Sequence, residues 1–267
     1  MPSECPSVDI HVHVYPQKVA ERAVQSVGDF YGVKMTRRGL VDDYLNLREP
    51  SGIKTSAILS VANKPELVTS INDFIAEISA NDPSMIGFAA MHQDFNDMEA
   101  EVERCIALGL KGFKIHPDSQ AVNIDDPRLM HFYGLIEGRL PLTVHAGDYR
   151  YDYSHPRRIR EVLHAFPNLR LNTAHFGGWS IFDLSVEYLE NERNYMDTSS
   201  SMIWLGLRRT KELIEHYGAD RVMFGTDFPM FDPAEELRLL RACGLSQRDL
   251  EQVCCRSAES FLGMDLV

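Results

Sequence analysis

Short apolar runs alternate with helical patterns along the whole chain. In the first run, residues 8–14, Asp9, His11 and His13 fall on one face and apolar residues fall on the other. This alternation has the period of a β-strand. Seven more strand-like runs follow, at 55–61, 85–91, 112–115, 140–145, 169–175, 195–197 and 221–224. Between most of them, apolar residues recur at helical spacing, which predicts a repeated strand–helix pattern.

The repeated pattern predicts the fold class. Repeated βα units require right-handed crossovers and a parallel sheet. Eight such units in about 250 residues match the size of a (β/α)8 TIM barrel. A doubly wound open sheet is the alternative, but the glycine-rich dinucleotide turn is missing after the first strand. No linker or internal repeat interrupts the pattern, so we expect one barrel domain over residues 1–267.

Composition and charge limit the partners. The chain has 267 residues, of which 44% are hydrophobic and 25% charged, as in ordinary globular proteins. No apolar run approaches the roughly 20 residues that span a bilayer, and no signal-like N-terminal stretch is evident. The net charge of −12 argues against nucleic acid or an anionic membrane as a partner. Five scattered cysteines without a C-x-x-C motif suit reduced thiols. We therefore expect a cytoplasmic protein that acts on a small molecule, with a homodimer as the default oligomer.

Candidate reactive residues collect where the predicted strands end. In (β/α)8 barrels these ends form the active-site face. Histidines, a lysine and an aspartate lie there: His11, His13, His92, Lys114, His116, His145, His175 and Asp227. Imidazoles two residues apart on a strand point the same way, so His11 and His13 can reach one metal ion. The simpler alternative is that the first strand lies at the edge of the sheet with its polar residues facing water. A catalytic zinc-type site needs three or four N or O ligands and an open position for water.

Five motifs occur in a fixed order along the chain. They are Asp9-x-His11-x-His13, then GFKIHP at 112–117, VHAGD at 144–148, AHFGG at 174–178 and FGTDFP at 224–229. Together they resemble the amidohydrolase superfamily. More narrowly, they are similar to the amidohydrolase-related group that includes aminocarboxymuconate-semialdehyde decarboxylase.

The resemblance implies one divalent metal ion, zinc first and manganese as the alternative. It implies His11, His13, His145 and Asp227 as ligands, and His175 as the acid/base, a role for which Asp227 is a second candidate. Many superfamily members use a carbamylated strand-four lysine to bridge two metals. Lys114 lies on that strand, but this branch usually lacks the bridge, so a single ion is expected.

Three further residues are expected to contact substrate. His116 follows the fourth strand, Arg150 lies in the loop after the fifth, and Trp179 follows the sixth. Arg150 could hold a substrate carboxylate through a bidentate contact, with an ion pair as the alternative. Asp9 is expected either to orient a ligand through a hydrogen bond or to cap its strand.

The resemblance leaves two reactions open, because the group includes both hydrolases and decarboxylases. We expect primarily a metal-dependent hydrolase, in which metal-activated water attacks a C–O or C–N bond of a lactone, ester or amide. The alternative is a nonoxidative decarboxylase of a small unsaturated or aromatic acid. The chain is shorter than many decarboxylases of the group, which favours hydrolysis. A metal-dependent deoxyribonuclease is disfavoured by the acidic charge and the missing strand-four glutamate, and a catalytically silent barrel by the intact metal positions.

Overall fold

A computed structural model describes residues 6–266, so the N-terminal residues in which no signal was expected lie outside the described part. Eight strands form one sheet in which each strand pairs in parallel with the next, in the order β1 to β8. The strands are β1 (Ser7–His13), β2 (Ile53–Leu59), β3 (Met85–Ala90), β4 (Gly112–Ile115), β5 (Leu142–Val144), β6 (Leu171–Thr173), β7 (Tyr195–Asp197) and β8 (Val222–Met223).

The end of β8 returns to β1 and brings the sheet close to closure. The backbone N–H of Ile10 donates to the carbonyl of Phe224 at 2.9 Å, and that of His13 donates to Phe228 at 2.8 Å. Val12 and Phe228 form a parallel bridge. The (β/α)8 barrel is confirmed, and the open doubly wound sheet is excluded. The alternative of β1 as an edge strand facing water is wrong, because β1 is hydrogen-bonded on both sides and six of its seven residues are buried.

Helices follow most strands and cover the outside of the barrel. Several begin at aspartates that cap them: Asp97 accepts from the N–H of Ala100, and Asp232 from that of Ala234. The helices are α1 (Ala20–Tyr31), α2 (Val41–Arg48), α3 (Val68–Asn81), α4 (Met98–Ala107), α5 (Pro117–Gln120), α6 (Pro127–Ile136), α7 (Pro156–Ala165), α8 (Phe182–Leu189), α9 (Met202–Tyr217), α10 (Pro233–Ala242), α11 (Gln247–Glu251) and α12 (Ser257–Leu262). None of the helices described here is long and apolar enough to cross a membrane.

Aromatic rings fill the barrel at the N-terminal ends of the strands. Phe261 of α12 packs against Phe88 of β3 and Tyr195 of β7, with ring centroids 6.2 and 5.4 Å apart. A Cβ at Gly112 would lie 2.4 Å from the Phe88 ring, so only glycine fits at the start of β4. This apolar plug leaves the opposite end of the barrel for polar groups.

A buried polar layer begins above that plug. Lys114, Thr143 and Asn172 are register partners on β4, β5 and β6, and all three are buried. The side-chain amide of Asn172 donates to the hydroxyl of Thr143 at 3.3 Å. The layer lies just below the histidines at the carboxyl ends of the strands, as the barrel rule predicts.

Candidate metal centre and active site

Three predicted ligands meet where β1 and β8 end. The Nε2 atoms of His11 and His13 are 3.2 Å apart, and Asp227 Oδ1 lies 3.7 and 3.5 Å from them, respectively. A divalent ion with bonds of about 2.1 Å separates neighbouring ligand atoms by roughly 3.0 to 3.4 Å. The spacing of these atoms therefore fits one divalent ion.

The loop after β8 places Asp227 with a positive φ of 62°, a region that aspartate adopts more readily than most residues. Its backbone N–H donates to the carbonyl of His11 at 2.8 Å, and Ser200 donates a hydroxyl hydrogen bond to its carboxylate. Burial raises the pKa of Asp227, but His11 and the other imidazoles outweigh burial and lower it to about 2. Asp227 is thus held as a carboxylate, the form that binds a metal.

Backbone and carboxylate partners aim the two β1 imidazoles. His13 Nδ1 lies 3.2 Å from the carbonyl of Leu59, which turns Nε2 toward Asp227. Burial lowers the pKa of His13 to about 3, so its imidazole is neutral and can act as a ligand. His11 Nδ1 lies 3.0 Å from Asp197 Oδ2, and its Nε2 is likewise directed at the other two groups.

Asp197, at the end of β7, was missed by the sequence analysis. Its fully buried carboxylate accepts from the Nδ2 of Asn172 at 2.8 Å and the backbone N–H of His175 at 3.1 Å, besides contacting His11 and Ser199. Burial raises its pKa, but the charge and hydrogen bond of His11 outweigh this, and the pKa lies below its usual range. The rule that strand ends carry function would have identified it, since β7 ends at Asp197.

His145 and His175 form a second pair beside the three ligands. His175 Nε2 lies 3.1 Å from His145 Nδ1, while the other nitrogens face the carbonyls of Ser199 at 2.9 Å and Gly147 at 3.0 Å. Each carbonyl requires an N–H from its imidazole, which leaves one proton position between the two rings. Burial lowers the pKa of His175 to about 4. The pair is arranged to take up and release one proton.

His145 lies beside His175, but its ring nitrogens do not form a group with the other three predicted ligands. Its nitrogen lies within 4.8 Å of ligand atoms of His116 and Asp118, and these three form a separate potential metal-binding group among the described residues. The His116 and His145 rings stack at 3.9 Å, only 7° from parallel. Burial raises the pKa of Asp118 to about 7, and its Oδ1 has no hydrogen-bond partner.

Aromatic side chains form one wall of the site. The hydroxyl of Tyr31 lies 2.8 Å from His116 Nε2, and its ring packs against Trp179 at 5.1 Å. Trp179 lies 6.4 Å from the His145 ring, so the structure places both His116 and Trp179 beside the histidine pair.

Arg150 lies near this wall, but its guanidinium is already paired with another residue of the chain. Its guanidinium forms a fork with the buried Asp148, with contacts of 2.6 and 2.9 Å, and lies over the Phe30 ring at 4.7 Å. The structure therefore favours the ion-pair alternative for Arg150, because Asp148 takes the bidentate face that a substrate carboxylate would need.

Asp9 does not contact the imidazole of a predicted metal ligand. It accepts from the backbone N–H of His11 at 3.2 Å and from the hydroxyls of Tyr44 at 3.0 Å and Thr226 at 2.7 Å. It thereby ties β1 to the loop after β8. The structure thus places Asp9 beneath the site as a backbone anchor.

The remaining candidates lie at different depths. Lys114 is 1% exposed, and its Nζ lies 3.2 Å from His11 Nε2; burial lowers its pKa to about 8. His92 is buried outside the ligand groups and accepts from the N–H of Asp94 at 3.1 Å. Of the histidines that the sequence analysis did not select, His155 is partly buried and the others are exposed, namely His131, His164 and His216.

Solved structures share this fold over nearly their full length. A dihydroxybenzoic acid decarboxylase from Polaromonas sp. JS666, with bound manganese and 2-nitroresorcinol, has a TM-score of 0.75 at 18% identity, covering 96% of both chains. The 2,6-dihydroxybenzoate decarboxylase from Rhizobium has 0.73 at 18%, over 96% of this chain and 98% of that one. The 5-carboxyvanillate decarboxylase from Sphingomonas paucimobilis has 0.75 at 16%, over 98% and 100%. No curated protein sequence matches significantly.

These neighbours correct the expected reaction. All three are decarboxylases, and none is a hydrolase of a lactone, ester or amide. The prediction of hydrolysis as the primary activity is therefore wrong, and the alternative agrees better. The argument from length failed because the similarity extends over at least 96% of each decarboxylase chain, so chain length does not separate the two classes.

The sequence itself assigns the family. A family model described as amidohydrolase matches residues 8–264, from the first strand to the end of the last helix. All five sequence motifs lie within this match. The chain therefore belongs to the amidohydrolase family of enzymes.

Proposed function

We propose that this protein is a metal-dependent, nonoxidative decarboxylase of a small aromatic or unsaturated carboxylic acid. The observation that carries the proposal is the set of His11, His13 and Asp227, spaced for one divalent ion, next to the His145–His175 pair. The likeness of the barrel to decarboxylases supports the reaction type.

The proposed cofactor is one divalent ion held by His11, His13 and Asp227, and His145 stays a prediction as a fourth ligand. Imidazole and carboxylate ligands suit both manganese and zinc, and the Polaromonas neighbour holds manganese. When bound, such an ion would supply a Lewis acid for an anionic oxygen of the substrate. The neutral imidazole of His13 and the ionised Asp227 are in the protonation states that ligation requires.

His175 is the proposed proton donor. The overall reaction converts R–CO2⁻ and H⁺ into R–H and CO2. The electron pair of the breaking C–C bond stays on the ring carbon, which takes the proton from His175 Nε2. The N–H of Nδ1 stays bonded to Ser199, so Nε2 is the nitrogen available for transfer. Burial lowers the pKa of His175, which makes its protonated form a strong acid.

The aromatic wall suits a planar acid. Tyr31 and Trp179 stand beside His116 and His145, and such rings pack well against a flat substrate. Specificity among hydroxybenzoates and related acids would then depend on this wall.

The test is a turnover assay with metal-loaded protein in D2O. The panel contains 2,6-dihydroxybenzoate, 5-carboxyvanillate and salicylate, and CO2 release and the deuterated product are measured. We expect one of these acids to yield CO2 and a product with deuterium at the carbon that held the carboxylate. H175N should retain metal and lose at least about 100-fold in kcat, the lower range for loss of a general acid.

H92N is the matched control, because His92 is buried outside the ligand groups. It should retain full turnover. If wild-type protein with one metal ion per chain leaves all panel acids intact and releases no CO2, the proposal is contradicted for these substrates. Full activity of H175N would contradict the assigned proton donor.

A further inference from the structure

Lys114 is a buried cation whose role the proposed chemistry has not used. Its side chain points from β4 into the barrel and is 1% exposed. The Nζ atom lies 3.2 Å from His11 Nε2, which is one of the three proposed metal-ligand atoms. The lysine therefore lies at the edge of the metal position.

The carboxylates nearest to Lys114 are committed elsewhere. Asp197 accepts hydrogen bonds from His11 and Asn172, and Asp227 accepts one from Ser200. Both attract the ammonium through space without forming a hydrogen bond to it. Within residues 6–266, the structure gives Nζ one hydrogen-bond partner, the ring nitrogen of His11.

Metal binding would remove that partner. A lone pair on His11 Nε2 that ligates an ion cannot also accept a hydrogen bond from Nζ. The ammonium would then carry three N–H donors into a buried site without an acceptor, which is strongly unfavourable. An anionic oxygen placed between the metal position and Lys114 removes this penalty.

Arg150, the other candidate cation, is not free to bind an anionic oxygen of a ligand. Arg150 is held by Asp148 through a fork of hydrogen bonds, and its guanidinium lies over the Phe30 ring. Lys114 is thus the cation placed to meet an anion that enters the site.

We propose that Lys114 is the residue that binds the anionic oxygen of a small carboxylic acid, and so determines that this site takes acids rather than neutral molecules. This inference rests on the proposed function for the identity of the acid as a substrate. The lysine contacts the acid directly, whereas His11, His13 and Asp227 hold the metal.

The test measures binding by calorimetry, with metal-loaded wild-type, K114M and K111M proteins. The probes are benzoate, which carries only a carboxylate, and resorcinol, which is neutral. Lys111 is exposed and lies three residues away, so K111M is the matched control. We expect K114M to bind benzoate about 10- to 100-fold more weakly, the range for loss of one charged hydrogen bond, with resorcinol unaffected.

Metal content, measured by elemental mass spectrometry, separates this role from that of a metal-bridging lysine. K114M should keep the wild-type metal content, because it removes a positive charge from beside His11. If K114M does not fold, benzoate affinity and metal content are measured on K114Q, which keeps a polar group without the charge. Loss of metal from the folded variant, unchanged benzoate affinity, or a wild-type protein that binds no benzoate would each overturn the inference.

Turnover is measured separately on the acid panel. Weaker benzoate binding by K114M, in a protein that decarboxylates none of the panel, would support the anion site and remove the support for decarboxylation. If K114M decarboxylates a panel acid with an unchanged KM and binds benzoate with unchanged affinity, decarboxylation is supported and the anion site at Lys114 is refuted.

Discussion

Replacing Asp197 with asparagine should both destabilise the barrel and weaken metal binding. The carboxylate is fully buried, and donors surround both of its oxygens. Oδ2 faces His11 Nδ1 at 3.0 Å and Asn172 Nδ2 at 2.8 Å, while Oδ1 accepts from the backbone N–H groups of His175 and Ser199 at 3.1 and 3.2 Å. Either orientation of an asparagine amide turns its NH2 toward donors.

The magnitude follows from these contacts. One lost charged hydrogen bond and one or two buried donors without an acceptor sum to about 3–5 kcal/mol. For a chain of this size, about 2–3 °C is lost per kcal/mol, so the Tm should fall by about 6–15 °C. Removal of the hydrogen bond that orients a metal-ligand histidine typically weakens metal binding about 10- to 100-fold.

Thermal unfolding by circular dichroism and metal titration by calorimetry measure the two effects. D183N is the matched control, since the side chain of Asp183 is 91% exposed and pairs with Arg209 at the surface. It should leave Tm and metal affinity unchanged. A D197N protein with a Tm within 2 °C of wild type and unaltered metal affinity would refute this account of the site.

Three further changes test other parts of the structure. H13N should reduce the bound metal to well below one ion per chain by elemental mass spectrometry, whereas H92N should not. Burial raises the pKa of Glu236 from 4.5 to about 8. The free energy of unfolding should therefore fall as the pH rises from 4.5 to above 8, because the unfolded chain ionises this carboxyl group first. E236Q should therefore match the wild-type Tm near pH 4.5 and exceed it at pH 9, while E235Q, at an exposed site, should show no such pH-dependent gain. R150M should lower Tm by several degrees, because it leaves a buried carboxylate unpaired; a raised KM with unchanged Tm would instead indicate substrate binding.

The sequence predicted the barrel because its strands follow a simple rule of alternation and spacing. The predicted runs at 140–145, 169–175 and 221–224 extend beyond the observed strands β5, β6 and β8. The residues left out include His145 and His175, which follow the ends of β5 and β6. Periodicity does not distinguish a strand residue from the residue that turns away at its end.

The histidines were predictable as a group, but their pairing was not. His11 and His13 share a face of one strand, so their proximity follows from local geometry. The orientation of His145 depends on the Gly147 carbonyl and on the stacked His116 ring, contacts formed by the folded loops. Asp197 ends β7 and so lies where the barrel rule places functional residues, but none of the five motifs includes it, and its side-chain contacts to β1 and β6 form only in the folded barrel.

In the fold, the side chains of Arg150 and Lys114 have other partners than the sequence suggests. In the sequence, the arginine after β5 is the natural partner for a carboxylate, and the strand-four lysine is a possible metal bridge. In the structure, an aspartate two residues away binds the guanidinium, while the lysine faces a histidine that is a proposed metal ligand. The cation that can meet an acid is therefore inside the barrel, where water is excluded and a charged contact is strongest. This placement links the proposed acidic substrate to the proposed metal position, because any anion bound by Lys114 lies next to His11.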